Sequence, residues 1–203
     1  EDILIDHLFP ELMGTDDQIH QYVLTNPGES LTVFVDDLGE YYTFESDGYP
    51  KPTREYKGIT LELDRPWDGD WYARISYTNS DTMGNYEGTV KSDNGQDDAG
   101  ITTDFDFPEF MEGAYGKLPN HRKHNLKFSG ARAIGNGWVA GVTASALSPR
   151  YYGCIGNYPD AVNPQLYDDN SWYCDGEPTP RGTKAQSNWV MNVDVMASYS
   201  VPV

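Results

Sequence analysis

No apolar run in this chain approaches the roughly 20 residues that a membrane-spanning helix requires, so no helical span is expected. Basic residues are scarce. Fourteen Lys and Arg stand against 32 Asp and Glu in 203 residues, a formal charge of −18. Such a charge repels nucleic-acid backbones and anionic headgroups, and nucleic acid is not an expected partner. The chain also lacks a nucleophile elbow, a phosphate-binding glycine loop and a zinc-protease helix, and its many carboxylates single out no glycosidase pair. No catalytic residue emerges, and no enzymatic activity is expected. Cysteine is limited to Cys154 and Cys174, both in a Gly-, Pro-, Tyr- and Asp-rich stretch. Two free thiols fit that count, as does a disulfide closing a surface loop. The absence of a Cys-x-x-Cys or a nearby His favours the bridge over metal or redox work. Such a bridge stabilises by about 3 kcal/mol in the chain-entropy account and belongs to the periplasm, the cell surface or the medium.

What the chain does have is aromatic and periodic. Fifteen Tyr and five Trp are too many for a disordered acidic tail. Extended segments are joined alternately by short turns and long acidic stretches. Residues 55–65 meet 71–78 through Pro66-Trp67-Asp68-Gly69-Asp70, and 124–133 meet 138–148 through Ile134-Gly135-Asn136-Gly137. Residues 79–120 and 149–187 are expected as long loops, which are uncommon inside a compact domain. Residues 1–52 read as loop or rim, with a weakly helical pattern over 2–12 and a short hairpin of 31–35 with 41–44.

Within the strands, apolar and polar residues alternate with a period of two, which places each set on its own face of a sheet. Ile59, Leu61 and Leu63 oppose Thr60, Glu62 and Asp64, while Trp71, Ala73, Ile75 and Tyr77 oppose Tyr72, Arg74, Ser76 and Thr78. Leu126 and Phe128 oppose Lys127 and Ser129. Val142, Ala144 and Ala146 oppose Thr143 and Ser145. Met191, Val193, Val195, Ala197 and Tyr199 oppose Asn192, Asp194 and Ser198. Val139, Val190 and Met196 are apolar residues on the polar side. A soluble β-sandwich gives the same alternation. Charge in mid-strand suits a wet lumen better than a dry core, and Trp71, Trp138 and Trp189 each open a strand, where a membrane interface places aromatics. The expected fold is therefore all-β: antiparallel up-and-down strands of a partial transmembrane β-barrel, with short turns on one side and long acidic loops on the other.

Several stretches go further. Residues 114–124 (AYGKLPNHRKH) before a strand and 135–138 (GNGW) before the next resemble the C-terminal barrel of TonB-dependent outer-membrane receptors, the large type with a carboxypeptidase-regulatory-like extension. So do 87–100 (EGTVKSDNGQDDAG), 104–108 (DFDFP), and the series Cys154, 173–176 (YCDG) and 180–183 (PRGT). The resemblance spans roughly 53–200. It implies a 22-stranded barrel filled by a plug, uptake of a scarce nutrient, and an inner-membrane energy-coupling protein as partner. Nothing here resembles the plug or a TonB-box. Five strands cannot close around a lumen, and an open edge is not viable in lipid. The strip is expected to be completed by the remainder of the barrel and plug, or by neighbouring copies. The alternatives are a secreted or surface-displayed acidic β protein assembling into a filament or sheath, and a secreted glycan-binding module.

Candidate sites lie in the loops. Asp93, Asp97, Asp98, Asp104 and Asp106 are an oxygen-rich set for a hard cation such as Ca²⁺, or a solvated acidic loop; no other cofactor is expected. His121 and His124, three apart before a strand, point to opposite faces and mark its polar approach. Tyr151, Tyr152, Trp172 and Tyr173 are expected either to stack on a ligand or to pack on one another around the disulfide. Arg150 and Arg181 are expected either to meet an anionic ligand or to pair with loop carboxylates.

Overall fold

The computed structural model describes residues 2–4, 22–24, 26–35, 39–44, 49–98, 104–105, 108–159 and 170–201. Its framework is one antiparallel sheet: β1 (Arg54–Arg65), β2 (Trp71–Gly84), β3 (Gly116–Lys117), β4 (His124–Gly135), β5 (Trp138–Leu147) and β6 (Val190–Tyr199). The long strands lie in the order β6-β5-β4-β2-β1, and short β3 pairs with the far end of β2. The fold is all-β, as the alternation predicts. Up-and-down order puts both short turns at one end of the sheet and both long excursions at the other.

The turns have local causes. Asp68 Oδ1 accepts the backbone N–H groups of Asp70 and Trp71 at 3.0 and 3.1 Å, and these bonds hold its carboxyl below the usual carboxylate range. At the β4–β5 turn, Gly135, Asn136 and Gly137 all have positive φ, the left-handed conformation that Gly and Asn tolerate best.

Register carries the alternation across all five strands. Leu63, Ile75, Phe128, Ala144 and Val193 form one cross-strand row, and Asp64, Arg74, Ser129, Thr143 and Asp194 form the neighbouring row on the opposite face. Met196, an apparent exception, sits opposite Gly141, where it fills the space left by the missing side chain.

β2 runs to Gly84, beyond the end at 78 that alternation predicts. Its extra length pairs with β1 on one side, from Arg54↔Gly84 to Ile59↔Asn79. On the other side the loop chain docks: Ser80 N–H donates to Lys123 O at 3.0 Å and Leu118 N–H to Thr82 O at 3.1 Å. Loop atoms cover Ser80 and Thr82, so this stretch keeps no apolar face of its own.

Among the described residues the core lies mostly outside the sheet. It lies where the two excursions fold together into a knob. Tyr49, Phe105, Met111, Ala114 and Trp172 form one buried cluster, and Phe110, Tyr158 and Tyr173 a second. At Gly116 the excursions approach closely: a Cβ there would stand 2.2 Å from the Arg181 carbonyl oxygen. In the N-terminal portion, Leu31–Val35 pairs with Glu40–Phe44 as the sequence predicts. Asp2–Leu4 is a strand paired with Tyr22–Leu24 rather than the start of a helix, because that partner supplies its ladder bonds. Residues 5–12 of the helical expectation lie outside the described residues.

Candidate functional site

The apolar face of the sheet is uncovered. Leu61, Val193 and Val195 are 66, 68 and 83 % exposed, values that belong to surface lysines rather than to a core. Aromatic rows bound this face at both ends. Trp138 and Tyr199 meet at 5.0 Å at the turn end, beside Trp71 with the Arg65 guanidinium 3.9 Å over its ring. At the knob end the Tyr77, His124 and Trp189 rings stack in series, 6.0 and 6.2 Å apart. Ten residue steps separate Trp189 from Tyr199 along the chain. At ~3.3 Å per residue the rows stand about 33 Å apart along the strand.

The opposite face is polar. Arg74 donates to Glu62 (Nε to Oε1, 2.8 Å) and lies 3.9 Å from Asp64. Thr60 and Thr78 share a hydrogen bond across β1–β2, as do Tyr72 and Ser129 across β2–β4. Glu62 and Arg74, with Lys127, Ser129, Thr143, Asn192 and Asp194, line a shallow cavity on this face.

Inside the knob, charges are buried in pairs. Lys91, 3 % exposed at its side chain, is hydrogen-bonded to Asp104. Arg181, fully buried, lies 3.4 Å from Asp93 and 4.5 Å over the Trp172 ring. Each pair joins charge to countercharge, which burial demands. Burial pushes the Asp93 carboxyl up, and Arg181 opposes that shift. Burial also raises the Tyr158 phenol to about 12, and raises Tyr173 with help from nearby Glu112.

These positions sort the candidates named above. Cys154 and Cys174 are bonded as a disulfide. Trp172, Tyr173 and Arg181 are buried and take the packing alternative, with Arg181 beside Asp93 across the two loops. Tyr151 is half-buried under the Lys117 ammonium at 3.4 Å, Tyr152 is exposed, and Arg150 stands 5.1 Å from the Tyr152 ring. Asp93 and Asp104 do not converge on a shared cation position, since each faces its own basic partner. Asp97 and Asp98 are exposed, and Asp106 lies outside the described residues. Among the described residues no cluster of three or more His, Cys, Asp or Glu suits a metal ion.

His121 is the residue the sequence misleads on. It is fully buried, not a polar approach to the strand. Its Nδ1 accepts the Thr82 N–H at 3.1 Å, its ring meets Tyr151 edge-on at 5.4 Å, and burial lowers its pKa against the pull of Asp81.

A two-faced antiparallel sheet with a buried-charge knob at one end defines an all-β protein of wall-and-loop design. Among curated proteins the chain is similar to a TonB-dependent transporter, Oar, of Myxococcus xanthus, 30 % identical over 187 residues. The match covers 91 % of this chain and only 15 % of that relative, so the chain spans a small part of its length. The similarity is a distant one. No family model matches the chain, and no solved structure does.

Proposed function

We propose that this chain is a section of an outer-membrane TonB-dependent receptor that takes up a nutrient ligand. The five long strands form wall, their apolar face against lipid and their polar face toward the lumen. The knob faces outward. The remaining barrel and the plug complete the strip, and an inner-membrane coupling protein supplies energy. One observation carries this reading: an apolar face left open across five strands and bounded at both ends by aromatics. In water such a face is a large aggregation liability; against acyl chains it is at its lowest free energy.

A second reading has one observation in its favour. Among the described residues β1 and β6 each leave one edge without a partner strand, and unpaired edges recruit neighbours. In that case copies add edge to edge into a sheath. Fractionation of cells making the natural full-length protein separates the two. The receptor reading predicts that the protein floats with outer membranes and enters solution only with detergent. Pelleting as a filament free of lipid would favour the sheath.

A further inference from the structure

We propose that a notch on the side of the knob binds the oxyanion group, carboxylate or phosphate, of a small ligand. Arg54, Glu87, Val90, Ser92, Asn120 and Arg150 line it together with Pro119, around a cavity of about 290 Å³. Five separate stretches of chain contribute to it: the first residue of β1, two points on the first excursion, the approach to β4 and the exit from β5. The proposal goes beyond the transport reading and is independent of how the sheet is completed.

The two guanidinium groups are only partly engaged within the chain, Arg54 by one hydrogen bond and Arg150 by the Tyr152 ring. Arg54 Nη1 donates to the Glu87 backbone oxygen at 3.0 Å, which fixes the side chain while leaving its other N–H groups available. Arg150 is anchored through its backbone, its N–H donating to Ser187 Oγ at 2.9 Å and its carbonyl accepting Ser187 N–H at 2.8 Å. Its buried Nε has no hydrogen-bond partner among the described residues, and neither arginine has an ion-pair partner there. A buried guanidinium donor without an acceptor is costly, and a planar oxyanion bridging two N–H groups is the acceptor its geometry fits best. The one carboxylate in the notch, Glu87, is drawn back by Ser92 Oγ at 2.8 Å and the Asp93 N–H at 3.4 Å. Among the lining residues two guanidinium groups stand against one carboxylate, with Asp93 close enough to interact with Arg150. Arg181 has the same chemistry but is sealed in, so it serves the fold and not this site.

Calorimetric titration of the natural full-length protein in detergent with succinate and with inorganic phosphate tests the proposal. Saturable binding of at least one probe is expected, weakened about tenfold or more by Arg54→Gln or Arg150→Gln and lost when both are changed. Arg150→Lys retains charge but not the planar fork, and falls between the native protein and Arg150→Gln. Glu87→Gln removes the opposing charge and tightens binding, an effect that misfolding cannot mimic. Binding of succinate alone assigns a carboxylate ligand, binding of phosphate alone a phosphate ligand. No saturable binding of either, or equal binding by the Arg54→Gln/Arg150→Gln protein, overturns the proposal.

Discussion

Changing Val193 to arginine destabilises the wall in a bilayer by about 2–4 kcal/mol, the cost of a cation on the lipid face near mid-depth. Asn192→Arg, one residue away, changes stability by less than about 1 kcal/mol, because its side chain enters the polar rows beside Ser145. The contrast is informative because the two positions are exposed alike within this chain. On the proposed reading only the medium on each side differs. Equilibrium unfolding of the full-length protein from bilayers measures it. Equal effects at 192 and 193 would mean that both faces see water.

The second large effect is in the knob. Arg181→Ala leaves Asp93 buried without its countercharge and strips one face of Trp172, at a cost of about 3–5 kcal/mol to the knob. Replacing Asp93 and Arg181 together by apolar residues of similar size restores most of that loss, since no uncompensated charge remains. Arg132→Ala is the control. Its guanidinium is exposed and 3.9 Å from Asp70, so its loss changes stability by at most about 1 kcal/mol. Hydrogen exchange reads the outcome at two amides that tie the knob together, Thr179 to Trp172 O and Arg181 to Gly113 O. Unchanged protection of both in Arg181→Ala would remove the buried pair from any stabilising role.

What could be read from the sequence follows the range of the interaction responsible. The facing of Leu63, Ile75 and Val193 was legible because a pleat converts a period of two directly into sides, whatever the strand pairs with. The turns were legible as well, since Asp68 and Gly135-Asn136-Gly137 act on their own neighbours. The extension of β2 to Gly84 was not. Its stability comes from Leu118 and Lys123, some forty residues later, docking along it. The knob was hidden for the same reason. Asp93 reads as a cation ligand until Arg181 of the other excursion is found beside it, and Trp172 reads as a stacking platform until Lys91 and Arg181 are found against it. His121 is a similar case, a residue between basic neighbours that tertiary packing buries. The notch at Arg54 and Arg150 had half a signal, since Arg150 stands out in an acidic loop while Arg54 is simply the first residue of a strand.

One physical claim supports the rest: hydrocarbon lies on one side of this sheet and water on the other. Nitroxide labels placed singly at Ile75, Val142 and Val193, and at their neighbours Ser76, Thr143 and Asp194, test it in the bilayer-embedded full-length protein. The first three should collide with oxygen dissolved in acyl chains and escape a water-soluble paramagnetic reagent, and the second three should do the reverse. Six labels that all report water, or a first set sealed from both reagents, would contradict the account.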